Sequence, residues 1–316
     1  MTMDQIKNQA RRRLPLLPEN PDAEKSGRFP KWLHRPLPKG DEVFQTESIL
    51  RKYGLNTVCE EAKCPNRTTC FSKKTATFLI MGKECTRACG FCDIDFAKTP
   101  KPLDREEPMK VALSVHELGL EHVVITMVAR DDLSDQGASH LVEVMRAVRR
   151  ENPRVTLEIL TSDYNGDWRA LDLVLAEKPE IFNHNLETVE RLTPRVRHRA
   201  TYERSLAVLA HAKASRLVPF IKSGIMVGLS ETGEEVVQTL TDLHRVGVDI
   251  VTIGHYLQAS RIKIPVKEFV TPETFQEYKI RGESLGIPHI YSGPFVRSSF
   301  NAKEIREVMN ERFSHA

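Results

Sequence analysis

No apolar run in the 316-residue sequence approaches the roughly 20 residues that cross a bilayer, so a membrane-embedded activity is not expected. Residues 1–30 are charged and proline-rich, and Leu14-Pro15-Leu16-Leu17 is too short for the apolar centre of a signal peptide. A secreted, disulfide-held chain is therefore not expected, and a cytoplasmic one is. Charge of one sign is missing too. The 46 basic residues face 43 acidic ones, a net charge of +3 that gives no electrostatic footprint for nucleic acid, and the Arg11-Arg12-Arg13 run reads as a solvated face. With 40% hydrophobic and 28% charged residues, the composition suggests neither a disordered nor a fibrous class, but one large core plus extensions. Cysteine is absent everywhere except residues 59–92, where all 6 lie. A reducing cytoplasm keeps such thiols free, and clustered free thiols argue for cofactors.

Three of them fall in Cys85-Thr86-Arg87-Ala88-Cys89-Gly90-Phe91-Cys92. Thiols this close can face one small object only if the backbone curls around it, and Gly90 offers the freedom such a loop needs. Structural zinc wants four ligands, usually as two separated pairs, and no histidine lies nearby to complete a tetrahedron. An iron-sulfur cubane commonly takes four cysteines, so three leave one iron open to something other than protein. A zinc knuckle or simply buried thiols is the bland alternative. The pattern resembles the Cys-x3-Cys-x-aromatic-Cys signature of the radical S-adenosylmethionine enzymes, with Phe91 at the aromatic position. That resemblance implies a [4Fe-4S] cluster on Cys85, Cys89 and Cys92, S-adenosylmethionine chelated at the open iron, and hydrogen abstraction by a 5′-deoxyadenosyl radical.

A second triad, Cys59-x4-Cys64-x5-Cys70, precedes the first, with Pro65 and Asn66 forcing a turn after Cys64. Alone it could be a zinc half-site. Beside the radical signature it reads as the ligand set of a second cluster. From residue 77 onward, apolar runs rich in valine, isoleucine and threonine (77–81, 122–129, 155–162, 180–186, 218–229, 249–256 and finally 289–295) alternate with amphipathic ones (108–118, 138–150, 168–175, 202–213, 234–246 and 272–285). Six βα units imply a parallel sheet with right-handed crossovers, and the radical triad then sits on the loop after the first strand, where barrel enzymes place their chemistry. The expected fold is α/β, a partial (β/α)6 barrel of the TIM type, with a doubly wound sheet as the alternative. The expected division is an N-terminal extension over 1–75 carrying the second triad, a barrel over 76–296 and a tail over 297–316.

Polar residues at strand ends mark a cofactor site: Ala129-Arg130-Asp131-Asp132, Asn183-His184-Asn185-Leu186-Glu187 and Gly254-His255-Tyr256. Asn185, Glu187 and Lys222 are the candidates for polar contacts to the cofactor, because buried polar groups need partners. The glycines of 222–231, Gly228 among them, resemble the family's glycine-spaced segment beside the adenine. His184 reads as a hydrogen-bonding residue rather than a metal ligand. Arg195, Arg197, His198 and Arg199 suit either an acidic partner protein or a solvated loop.

Taken together, the two triads, Arg130-Asp131-Asp132-Leu133, Asn183-His184-Asn185-Leu186-Glu187-Thr188 and the terminal Arg297-Ser298-Ser299 resemble the lipoyl synthase family, from about residue 44 to 300. The sequence departs from the family pattern at Phe300, usually tyrosine, at Ser230, usually glycine, and at Gln136, in a stretch where glycine is common. The resemblance implies sulfur insertion at C6 and C8 of an octanoyl chain on a lysine of a lipoyl carrier domain, such as the E2 subunits of 2-oxoacid dehydrogenases or the glycine cleavage H protein. It also implies two [4Fe-4S] clusters, the second being the sulfur source on Cys59, Cys64, Cys70 and Ser299. A flavodoxin or ferredoxin reductant and an iron-sulfur carrier protein are implied as further partners. Another radical sulfur-inserting or methylthio-transferring enzyme is the alternative activity, and an iron-sulfur electron carrier the non-enzymatic one.

Overall fold

The computed structural model describes residues 30–34 and 41–299; Arg11-Arg12-Arg13, Phe300 and the remaining terminal residues lie outside the described residues. A first compact unit ends at His34, and its described part is a 3₁₀ turn, Lys31–Leu33. Among the described residues the sheet, the α-helices and all six cysteines belong to the second unit.

That unit opens with helix α1 (Glu42–Tyr53), strand β1 (Asn56–Thr57) and two short helices, α2 (Val58–Glu61) and α3 (Arg67–Ser72). Strand β2 (Thr77–Ile80) leads into β3 (Glu84–Cys85) and β4 (Asp95–Phe96). The chain continues as α4 (Glu107–Leu118), β5 (His122–Met127), α5 (Ala138–Glu151), β6 (Thr156–Leu160), α6 (Trp168–Leu175) and β7 (Ile181–Asn183). It then forms α7 (Thr193–Val196), α8 (Tyr202–Ser215), β8 (Phe220–Val227), α9 (Gly233–Arg245), β9 (Ile250–His255), α10 (Pro272–Ser284) and β10 (His289–Gly293).

The main sheet runs β1-β2-β5-β6-β7-β8-β9-β10, parallel throughout except that β1 is antiparallel to β2. A doubly wound sheet reverses its strand order at a switch point. Here each strand of the sheet lies beside the next one in the chain, so every right-handed crossover puts its helix on the same face and the other face curves around an interior. The order has two ends, β1 and β10, which makes the barrel a partial one.

The strands are covered on both faces, as their continuous valine and isoleucine runs suggest. Val123 and Ile125 of β5 join the core under the helices, whereas Val124 and Thr126 line an interior cavity, the alternation a strand imposes. At the opposite end of the barrel Ile181, Phe220 and Ile250 close the floor with Tyr291. Helix ends follow local chemistry: the Thr232 side chain accepts from Glu235 N while Glu235 answers to the Thr232 N–H, a complete capping box opening α9.

Residues 41–75 do not stand apart as an extension. Leu50 and Phe71 are fully buried in the common core, and the division between compact units falls at His34 rather than at residue 75. The run at 180–186 shortens to three strand residues, Ile181–Asn183, and the backbone turns left-handed at Glu187, φ 67°.

Candidate active site

The loop after β2 is closed at its base by β3 pairing with β4, Glu84 against Asp95 and Cys85 against Phe96. Within it Gly90 N donates to Val196 O at 2.9 Å, and Gly90 O accepts from Ile264 N at 3.1 Å. Gly90 is needed for this close approach rather than for a special backbone angle: a Cβ would sit 2.6 Å from the Ile264 side chain and 3.3 Å from the Arg195 carbonyl. The same loop is pinned to the strand ends by Arg87, which sequence reasoning passed over. Its Nε lies 2.9 Å from Asp131 Oδ2, one terminal nitrogen 2.7 Å from Asp131 Oδ1, and the other 2.6 Å from Asp163 Oδ1. Burial alone would raise both carboxyls, but the adjacent guanidinium outweighs it and holds them below the usual carboxylate range.

The second triad is assembled from short helices. Cys59 lies in α2, whose first turn is capped by Thr57; Cys64 follows, its N–H on Cys59 O at 3.1 Å; Cys70 lies in α3, its N–H on Asn66 O at 2.8 Å. Lys63 Nζ, 2.6 Å from Asp93 Oδ2, links this segment to the residue after Cys92, although the lysine is too exposed for the pair to contribute much.

All six thiols face one cavity of about 360 Å³, together with Phe91, Asn185, Glu187 and Ser299. Burial pushes the Cys59 and Cys92 thiols up to about 12 and Cys89 up to about 11, and within each triad the thiols feel one another's charge. Such thiols stay protonated until a cation replaces the protons, which suits metal clusters. Among the described residues no three His, Cys, Asp or Glu side chains meet closely enough to share a single metal ion. A four-iron cluster distributes its thiolates over different irons, so its ligands need not meet at a point.

The polar wall comes from the β7 loop. Asn185 Nδ2 donates to Glu187 Oε1 at 3.1 Å and Ser298 Oγ at 3.3 Å, while Asn185 Oδ1 and His184 Nε2 are buried without a hydrogen-bond partner among the described residues. Orphaned groups of this kind on a cavity wall fit a polar ligand. Burial raises the Glu187 carboxyl, opposed by Arg197 and Asn185. Burial likewise lowers His184 to about 4, with Arg197 adding to it, so it remains a neutral hydrogen-bonding ring, its Nδ1 on Thr161 O at 2.9 Å. Arg197 is buried rather than displayed to a partner or solvent, donating to the carbonyls of Asn185 and Leu186 at 2.7 and 3.1 Å.

Two expected site residues do not reach the cavity. Lys222 is fully buried in the barrel interior, its Nζ 2.8 Å from Glu158 Oε1, with Asn183 Nδ2 on the same oxygen at 3.0 Å and His122 Nε2 3.4 Å from Oε2. Its ammonium is committed to a buried carboxylate instead of a cofactor. Lys222→Met should therefore destabilise the cluster-free protein by ~3–5 kcal/mol, because Glu158 is left as an uncompensated buried charge, whereas Lys222→Met with Glu158→Gln should restore most of the loss; urea unfolding of these two variants, Glu158→Gln alone and the unsubstituted chain measures it. Gly228, at φ 102°, also stands outside the lining: a Cβ there would meet Glu268 O at 2.8 Å and the His255 ring at 2.9 Å, so packing accounts for the glycine. Ser230 and Gln136, two of the expected departures from the family pattern, both take left-handed backbones, φ 84° and 56°.

Parallel strands in chain order, with a three-cysteine loop after the first parallel one, define a radical S-adenosylmethionine enzyme, and the family model of the Radical SAM superfamily matches residues 79–243. The solved structure of Streptococcus suis SuiB bound to precursor peptide SuiA shares the fold, with TM-score 0.53 and 9% identity over 86% of this chain and 58% of that one. HydG, a maturase of the [FeFe]-hydrogenase, does so with TM-score 0.51 and 14% identity over 67% and 55%. Lipoyl synthase of Protochlamydia amoebophila is 61% identical over 308 residues, 95% of each chain. That of Chlamydia trachomatis serovar L2 is 55% identical over 296 residues, 93% of this chain and 95% of the relative. The chain belongs to the lipoyl synthase family. Its activity is sulfur insertion by radical chemistry, its cofactors are S-adenosylmethionine and [4Fe-4S] clusters, and its substrates are octanoylated carrier domains.

Proposed function

We propose that the cavity is divided between two clusters. Cys85, Cys89 and Cys92 hold the one that binds S-adenosylmethionine, and Cys59, Cys64 and Cys70 with Ser299 hold the one that gives up sulfur. When bound, these groups supply a hydrogen-abstracting 5′-deoxyadenosyl radical and the sulfur for C6 and C8 of the octanoyl chain. The single observation that carries this reading is that both triads and Ser299 line the same cavity, so a substrate chain entering it meets both.

The chain's own residues bind, orient and exclude water. Arg87, tied to Asp131 and Asp163, fixes the first thiol loop against β5 and β6, so the thiols are held where they are needed before the cofactor arrives. Phe91 packs its ring against the core beside Cys92. Asn185 Oδ1 and the Glu187 carboxyl take the polar end of S-adenosylmethionine; Asn185 Oδ1 suits an amino donor because it has no partner among the described residues. Val124, Thr126, Leu160 and Met226 form a largely apolar interior that accepts an eight-carbon chain and offers the reactive carbons no competing donor.

A flavodoxin or ferredoxin supplies the electron, an iron-sulfur carrier protein rebuilds the second cluster, and the E2 subunits of 2-oxoacid dehydrogenases and the glycine cleavage H protein present the octanoyl-lysine. The cytoplasm is the compartment that keeps six free thiols reduced. Among the described residues no helix is long and apolar enough to cross a membrane. Anaerobic reconstitution followed by dithionite, S-adenosylmethionine and an octanoyl-lysyl peptide tests the reading: the peptide should gain two sulfur atoms with no net change in hydrogen, two C–H bonds becoming two C–S–H groups of the reduced dithiol, with two 5′-deoxyadenosines formed per lipoyl group. Formation of 5′-deoxyadenosine with no sulfur on the peptide would overturn it.

A further inference from the structure

Asn66 occupies the boundary position before α3, where an asparagine side chain ordinarily accepts a hydrogen bond from the first helical turn. It makes no such bond. Its Nδ2 donates instead to the carbonyl of Phe295, 229 residues away, at 2.7 Å, and the residue is only 1% exposed. Phe295 lies in the turn closed by Val296 N on Gly293 O at 3.0 Å, and this turn delivers the chain to Arg297-Ser298-Ser299. From the other side the Val296 carbonyl lies against Gly254 of β9, where a methyl group would overlap it, and Ser298 is held by Asn185. The turn beside Cys64 and the segment that carries Ser299 are thus joined by a side chain that has given up its local role.

We propose that Asn66 is a positioning residue for the second cluster: by anchoring Phe295 beside Cys64, it sets where Ser299 can reach. This rests on the reading of Ser299 as a ligand. Ser299 is four residues past the anchored carbonyl, a tether of at most roughly 14 Å when fully extended, so fixing its root beside Cys64 keeps the hydroxyl near the three thiols. Gly254 and Asn185 hold the segment from the barrel side, whereas Asn66 holds it from the side of Cys64.

The test uses Asn66→Ser, which keeps a residue able to cap α3 but cannot reach Phe295, and Asn66→Asp, which keeps the size but removes the donor. Hydrogen exchange of residues 295–299 is read in the cluster-free full chain. The second cluster's Mössbauer and electron paramagnetic resonance spectra are read in chains with Cys85, Cys89 and Cys92 replaced by alanine. Lipoyl yield is read in reconstituted enzyme, with Ser299→Ala alongside throughout. Both Asn66 variants should speed exchange over 295–299, shift the spectrum in the direction that Ser299→Ala shifts it, and lower lipoyl yield about 10–100-fold, the range for losing a group that orients a ligand. A native spectrum in both Asn66 variants while Ser299→Ala shifts it would overturn the role of Asn66, even if yield fell. A native spectrum in all three would show that the ligand reading of Ser299 had failed, and the inference with it.

Discussion

Alanine at Cys85, Cys89 and Cys92 together is expected to abolish 5′-deoxyadenosine formation, whereas alanine at Cys59, Cys64 and Cys70 should leave some S-adenosylmethionine cleavage and no sulfur insertion. The two sets line one cavity but belong to separate pieces of chain, the first triad to the loop closed by β3 and β4, the second to α2, α3 and the turn between them. Burial is what chiefly raises Cys59 in the second triad and Cys92 in the first, and the thiol charges that add to it come from within the same triad, so loss of one set leaves the other's surroundings largely intact. Iron content should fall by about half in either triple variant if each triad holds one cubane. Mass spectrometry of the octanoyl-lysyl peptide, chromatography of the nucleoside and iron analysis are the measurements. Sulfur insertion that survives loss of Cys59, Cys64 and Cys70 would remove the sacrificial role of the second cluster.

Ser299→Ala is the second large effect. The protein should keep both clusters and continue to cleave S-adenosylmethionine, yet lipoyl product should fall by at least about tenfold, the lower bound for disturbing a group that merely supports a metal site. Three thiols leave one iron of a cubane without a protein ligand, and an open iron invites water or early loss of the cluster. A serine oxygen closes the site more weakly than a thiolate and so can leave when sulfur must be given up. Ser299 lines the cavity that contains Cys59, Cys64 and Cys70, as this role requires. Near-normal lipoyl yield from the variant would sink the assignment, and an unchanged spectrum of the second cluster would do the same.

What the sequence by itself determined was local. Cysteine spacing depends on how a few consecutive residues can curl around one object, and strand and helix periodicity on which neighbours share a face, so the two triads, the six βα units and the chemical class were legible from residues 59–92 and the valine-rich runs. Asn185 and Glu187 were legible as residues at a strand end that opens into a cavity. Tertiary structure alone decided what becomes of charged and small residues that read alike in one dimension. Lys222 carries the same signal as a cofactor contact, but the fold sets Glu158, 64 residues earlier, 2.8 Å away, and a buried ammonium takes the nearest carboxylate rather than wait for a ligand. Arg87 carried no signal of its own and Arg197 suited a partner or a solvated loop equally, until Asp131, Asp163 and the carbonyl of Asn185 were placed against them. Asn66 read as a turn residue, and only the return of the chain after β10 supplied Phe295 as its partner. Gly90 is required by Ile264, 174 residues away, and no local rule specifies that neighbour. Hydrogen bonds and close contacts between residues far apart in the chain are set by the whole packing of the barrel, and this packing brings Ser299 into the cavity with Cys59, Cys64 and Cys70.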